Sequence, residues 1–295
     1  MQRRPAWSAP DSCGRMPTAT DGSSPVHANA TPRSEAMIAV RPTDSAASCP
    51  AITIAGLTHR YGDREALHGI DLEIGRGEIF GVLGPNGGGK TTLFKVLATL
   101  TPPQAGTVTI FDEDAGRAPE RVRRRLGVVF QHPALDAKLT VLENLRCHAA
   151  LYGLGSAEGR GRAAMLLERL GLTDRTGDLV ETLSGGLARR VELAKGLLHA
   201  PDLVLLDEPS TGLDPGARRD FFEYLMQLRD REGLTVVLTT HHMEEAERCD
   251  RVGFMHQGDL VAVGAPGDLK AEIGGDVVVI EAADAERMRG RIQQR

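Results

Sequence analysis

The sequence predicts an α/β fold with a mixed sheet at its core, an antiparallel β layer beside it and a helical insertion. Three observations carry this. Glu78-Ile79-Phe80-Gly81-Val82-Leu83 is an apolar run that passes through a glycine-rich loop into the helical stretch Leu93–Leu97. Gly127–Phe130, Leu203–Leu206 and Thr235–Leu238 are short continuous apolar runs, as expected of parallel strands buried on both faces. Ile52–Ile54, Leu72–Ile74 and Thr107–Ile110 instead alternate, as in strands with one buried face.

Taken in chain order, residues 1 to about 49 are rich in Pro, Ser, Ala and Thr without periodicity, so they are expected to be a disordered tail. Met16 and Met37 lie in this tail, and a translation start at Met37 is one reading of it. The alternating strands begin at Ile52. Between about 132 and 183 apolar residues fall at helical spacing, as at Ala164, Leu167 and Leu170, which marks the helical insertion. A helix follows Met243, and Val252–Met255 with Leu260–Val263 read as a hairpin turning at Gln257-Gly258-Asp259. The main folded unit spans 50–265. A short C-terminal extension, 266–295, is expected to add one strand over 276–280 and a helix.

Composition narrows the function classes. The 295 residues are 41% hydrophobic and 25% charged, enough for one large domain or two small ones with a sizeable core. Aromatic residues make up only 4% and the formal charge is −5, so neither aromatic platforms for stacking nucleic-acid bases nor general nucleic-acid binding is expected. Cys13, Cys49, Cys147 and Cys249 are scattered, which suits free thiols in a reducing compartment. No apolar run approaches the roughly 20 residues that span a bilayer. Arg3-Arg4 has no apolar segment behind it, so an export signal is not expected. Any membrane part must come from another chain.

The chemistry concentrates in three places. Gly84-Pro85-Asn86-Gly87-Gly88-Gly89-Lys90-Thr91-Thr92 joins a strand to a helix, the context of a phosphate-binding loop. Its glycines let backbone N–H groups point inward, and the helix N-terminus adds its own unpaired donors. Lys90 can reach the outer phosphates, and the Thr91 hydroxyl can bind the Mg²⁺ that travels with a nucleoside triphosphate. Asp207-Glu208 ends an apolar strand, where ligands of open α/β sheets sit. Asp207 is placed for the Mg²⁺ shell and Glu208 to polarise a water. Ser184-Gly185-Gly186 opens a helical stretch, a second anion-binding arrangement. The run Arg121, Arg123, Arg124, Arg125 reads as a solvated helix face. His241 and His242 are adjacent, and strand neighbours point to opposite faces, which argues against a metal pair.

Phosphate loop, Ser-Gly-Gly signature and acidic strand occur in the order found in ATP-binding-cassette (ABC) transporter subunits, and the chain resembles that family from about Ile52 to Val263. The resemblance implies a P-loop NTPase of ABC cassette type that hydrolyses ATP with Mg²⁺. It implies that Tyr61 stacks on adenine, that Gln131 touches Mg²⁺ and signals to the membrane subunit, and that Ser210–Asp214 crosses a dimer interface. It gives His241 the place of the switch histidine near the γ-phosphate, and Glu208 that of the residue that activates water. Two cassettes would face head to tail, Ser184, Gly185 and Gly186 of one closing over the ATP of the other, most simply in a homodimer. The partner would be a separate multi-span permease, placing the chain in the cytoplasm on the inner face of the membrane. Leu187 departs from the Gln or Met common after Ser-Gly-Gly, which puts any side-chain contact there in doubt. Leu139–Leu145 and the tail from Pro266 resemble the branch that powers drug-type or polysaccharide-type exporters. A soluble non-transport ABC ATPase, such as an assembly factor, is the alternative.

Overall fold

The computed structural model describes residues 49–131 and 134–273. The tail with its internal methionines and the strand expected over 276–280 lie outside the described residues. The chain opens with β1 (Ile52–Tyr61), β2 (Arg64–Ile74) and β3 (Ile79–Leu83), then α1 (Lys90–Leu97), β4 (Ala105–Ile110), β5 (Glu113–Asp114), α2 (Pro119–Arg124) and β6 (Leu126–Val129). It continues through α3 (Val141–Leu151), α4 (Ser156–Arg169), two short 3₁₀ turns, α5 (Gly185–Leu197) and β7 (Leu203–Asp207). It closes with α6 (Pro215–Glu232), β8 (Thr235–Thr240), α7 (Met243–Ala246), the hairpin β9 (Arg251–His256) and β10 (Asp259–Gly264), and α8 (Pro266–Ile273).

The strands form two sheets. One is four-stranded in the order β2-β1-β4-β5, with antiparallel pairs whose register sets Ile52 against both Ile74 and Ile110. The other has six strands in the order β10-β9-β3-β8-β7-β6; all its pairs are parallel except the terminal hairpin. β1 and β2 extend well beyond the short alternating cores visible in the sequence, because register shifts within β1 absorb Gly56 and the polar residues near it.

The continuous apolar runs are explained by the two faces they must bury. Val204 and Leu206 join one cluster with α3, α4, α5 and α6, whereas Leu203 and Leu205 join a second with α1 and the antiparallel sheet. Val236 and Leu238 divide from Val237 in the same way. Each such side chain contributes about 2 kcal/mol by leaving water.

Caps set the helix boundaries. Thr140 and Glu143 form a reciprocal capping box that starts α3. Asp214 accepts the amides of Gly216 and Ala217 at 2.9 Å, Pro215 begins α6, and Gly233 in the left-handed conformation ends it. In α4 the buried stripe is Ala163, Leu166, Leu167 and Leu170, while Ala164 is exposed. The helical period expected there is present, but its apolar face lies one residue earlier at Ala163, the position that meets the core at i, i+3, i+4 and i+7. The arginine run does form a helix, but it is tied to the protein as well as solvated. Arg121 pairs with Glu113 at 3.2 Å and Arg125 with Asp202 at 2.6 Å, and Arg125 lies 4.2 Å from the Phe111 ring centre.

Candidate active site

The glycine-rich loop takes its shape from the strands around it. Gly84 has φ 147°, and a Cβ there would stand 2.1 Å from the carbonyl oxygen of Met255 in β9. The β9–β10 turn then supports the loop from behind, with Gly258 N–H donating to the Gly88 carbonyl at 3.0 Å. Gly88 N–H donates to the Pro85 carbonyl at 3.1 Å. Lys90 begins α1 with its ammonium held by the carbonyls of Gly84 at 2.6 Å and Pro85 at 3.0 Å. Burial lowers its pKa, and the charges of Glu208 and Asp207 oppose that shift.

This loop forms one wall of a cavity of about 660 Å³. Asn86, Gly87, Gly89, Lys90, Thr91 and Thr92 line that wall, with Tyr61 at the end of β1. Gln131, Asp207, Glu208 and His241 line the same cavity. Residues from Asn86 to His241 meet because β3, β6, β7 and β8 are parallel strands of one sheet whose carboxyl ends share one edge, and Tyr61 joins them from the end of β1 in the other sheet. Gly84, Pro85 and Gly88 shape the loop from behind. Ser184, Gly185 and Gly186 do not line the cavity; they start α5, where the Ser184 hydroxyl accepts the Leu187 amide at 3.4 Å.

The acidic end is tightly organised. Thr239 is almost fully buried; its hydroxyl donates to Asp207 Oδ1 at 2.6 Å and accepts the Glu208 amide at 2.9 Å. Glu208 itself has φ +44°, a left-handed conformation that costs a non-glycine residue about 1 kcal/mol or more. Its Oε2 accepts from Gln131 Nε2 at 3.1 Å, and its Oε1 lies 3.4 Å from His241 Nδ1.

A family model described as ABC transporter matches residues 67–211. A daunorubicin resistance ATP-binding protein of Streptomyces coeruleorubidus is 43% identical over 81% of this chain and 75% of its own length. A Nod factor export ATP-binding protein I of Burkholderia orbicola is 41% identical over 83% of this chain and 81% of its own. The chain belongs to the ABC transporter ATP-binding family. It is an ABC ATPase of exporter type that hydrolyses ATP to power transport. A second model, an AAA domain described as a putative AbiEii toxin of a type IV toxin–antitoxin system, matches residues 181–247, the part that carries the signature helix and the acidic strand.

Solved cassettes share the fold. CbiO1 from Clostridium perfringens, part of the ABC transporter complex cbiONQ, matches with TM-score 0.70 at 29% identity over 76% of this chain and 92% of that one. The cassette MJ0796, solved as a dimer after hydrolysis with ADP and Pi bound, matches with TM-score 0.67 at 27% identity over 73% of this chain and 98% of that one. The mixed sheet, antiparallel β layer and helical insertion are those of an ABC cassette, and the cassette binds adenine nucleotide.

One expectation from the sequence needs correction within this cassette, and the site gains residues that the sequence did not mark. His241 and His242 do not diverge to opposite faces: their ring centres are 4.1 Å apart, because β8 ends at Thr240 and the chain has left the strand. Three residues escaped notice. Arg64 and Ala66 line the cavity beside Tyr61, and Thr239 bridges the two acids. A β-strand threonine inside an apolar run carries no signal of its own; only the pairing of Asp207 with Thr239 across β7 and β8 gives it one.

Proposed function

We propose that this cassette powers an exporter by a cycle in which ATP closes two copies and its hydrolysis releases them. Lys90 and the amides of the 84–92 loop hold the phosphates, and Tyr61 stacks on the adenine. Thr91, Gln131 and Asp207 all line the cavity and supply oxygen donors, a set that suits Mg²⁺. When bound, the ion would neutralise phosphate charge. Glu208 takes the proton of the attacking water, and His241 stabilises charge developing at the γ-phosphate. The observation that carries this reading is that Glu208 contacts Gln131 and His241 in the cavity that Lys90 also lines.

The signature residues Ser184, Gly185 and Gly186 lie outside their own chain's cavity, so they serve the ATP of a second copy. That copy is identical in the simplest assembly. Among the described residues no helix is long and apolar enough to cross a membrane. ABC cassettes pair with membrane components of transporters, and a separate multi-span permease would supply the transport path here. The cassette would then work at the inner face of the cell membrane, and the permease would select the exported drug-like or polysaccharide-like molecule.

The test is Glu208→Gln. The variant should bind ATP, turn it over at under about 1% of the parent rate, and accumulate as a dimer on size-exclusion chromatography in Mg²⁺-ATP, since each lost 1.4 kcal/mol of transition-state stabilisation is tenfold in rate. Turnover at the parent rate would refute this role for Glu208.

A further inference from the structure

We propose that Arg189 is a positioning residue that locks the backbone of Glu208 into its left-handed conformation and ties it to the signature helix. The inference rests on the role proposed above for Glu208.

Arg189 lies in the second turn of α5 and is 6% exposed. A buried guanidinium ordinarily pairs with a carboxylate. Here its hydrogen bonds go instead to three backbone carbonyls. Nε donates to Pro209 O at 2.8 Å, Nη2 to Asp207 O at 2.9 Å, and Nη1 to Phe130 O. The first two flank Glu208 on either side. The third belongs to the residue before Gln131, whose amide touches the Glu208 carboxylate.

The consequence is specific for the Asp207–Glu208 peptide. Its carbonyl accepts from Arg189 and its N–H donates to Thr239, so the plane is gripped at both ends. The residue that follows this plane is Glu208, at φ +44°. A left-handed glutamate relaxes unless its surroundings over-determine it, and Arg189 with Thr239 does so. Only a planar fork with several donors can span carbonyls from the residue after β6, the end of β7 and the loop that follows β7; a lysine ammonium places its donors at one point. Burial lowers the pKa of Arg189, with the charges of Glu192 and Asp207 acting the other way.

Geometry also gives this contact a direction. Ser184 stands at the start of α5 and Arg189 five residues later, so one rigid helix joins the signature of one ATP site to the water-activating residue of the other.

The experiment compares the full-length parent with Arg189→Met, Arg189→Lys and Glu208→Gln. Nucleotide affinity is measured with a fluorescent ATP analogue, turnover by phosphate release, and assembly by size-exclusion chromatography in Mg²⁺-ATP. Arg189→Met should keep its nucleotide Kd within about twofold, lose at least about tenfold in kcat, and accumulate an ATP-bound dimer as Glu208→Gln does. Arg189→Lys should fail to restore kcat. A general loss of packing would weaken binding and give no dimer. The proposal is overturned by a kcat within twofold of the parent, by rescue with lysine, or by a rate loss matched by an equal loss of affinity. If Arg189→Met does not fold, Arg189→Lys carries the same readouts. Parent-like turnover by Glu208→Gln overturns the reading of Glu208 instead, so the two failures are read from different proteins.

Discussion

The Thr239 hydroxyl donates to Asp207 Oδ1 at 2.6 Å across the β7–β8 pair. The same oxygen accepts the amide of Glu208, so one buried hydroxyl sets both acids. Thr239→Val keeps the shape and removes both bonds. It leaves the Glu208 N–H without its acceptor, and an unpaired buried group costs about 1–3 kcal/mol. Urea unfolding should show a loss of about that size. ATPase activity should fall about tenfold while nucleotide binding persists. An unchanged unfolding midpoint would contradict the arrangement.

Gly84 cannot tolerate a side chain. With φ 147° and the Met255 carbonyl 2.1 Å from any Cβ, Gly84→Ala must push β9 away from the phosphate loop. Isothermal titration should register an ATP affinity at least about tenfold weaker. The melting temperature should fall by several degrees, on the scale of about 1–3 kcal/mol for overpacking. Gly87→Ala, where no backbone atom stands in the way but φ is +79°, should be milder.

Glu245 is a buried junction. Its carboxylate, 1% exposed, accepts from the hydroxyls of Ser210 and Thr240 and lies 3.5 Å from Arg218 Nε. It therefore joins the 210–214 loop, the strand leading to His241, and α6. Glu245→Ala strips partners from three buried polar groups at once, and a loss of about 3–5 kcal/mol is expected in chemical denaturation. Glu245→Gln, which can still bond one hydroxyl, should lose less. Equal stability of the two variants would show that the carboxylate is not the link.

Stability should fall in mild acid. Burial, followed by the positive charge of Lys195 and the neighbouring His199, pushes the His148 pKa down to about 4. Burial and Arg162 push His199 down to about 4 as well, partly offset by its bond to the Leu126 carbonyl. The two rings flank Tyr152, which stacks on His199 at 3.8 Å. Both histidines are neutral in the folded protein while the unfolded chain protonates near pH 6.5. Between about pH 6.5 and 4 the unfolded state binds more protons, so their contribution to stability is full above pH 6.5 and declines as pH falls through that window. Urea midpoints measured from pH 7.5 to 4.5 should decrease, and His199→Gln should flatten the slope. A midpoint independent of pH would contradict neutral burial.

Much of this was legible along the chain because local chemistry marks it. The strand, the 84–92 loop and α1 are contiguous, and a loop that must present amides to phosphate needs its glycines at short range. Asp207 and Glu208 end an apolar run long enough to be a doubly buried strand. Ala164 was misplaced by one residue because neighbouring alanines look alike to a periodicity, and only contact with the core chooses Ala163.

The amino-acid sequence by itself determined the cassette's family, most of its strands and helices, and most residues that line the cavity, because each is written in short runs whose spacing or chemistry is local. Tertiary structure alone decided how those residues act together. Thr239 beneath two acids, Glu245 between two hydroxyls, and Arg189 on the carbonyls of Phe130, Asp207 and Pro209 all depend on hydrogen bonds between distant segments. A threonine, glutamate or arginine in a strand or helix has no local signature for such a role. Its partners are backbone atoms or buried hydroxyls, and every residue carries a carbonyl, so only the packing of the sheet selects which of them are within reach.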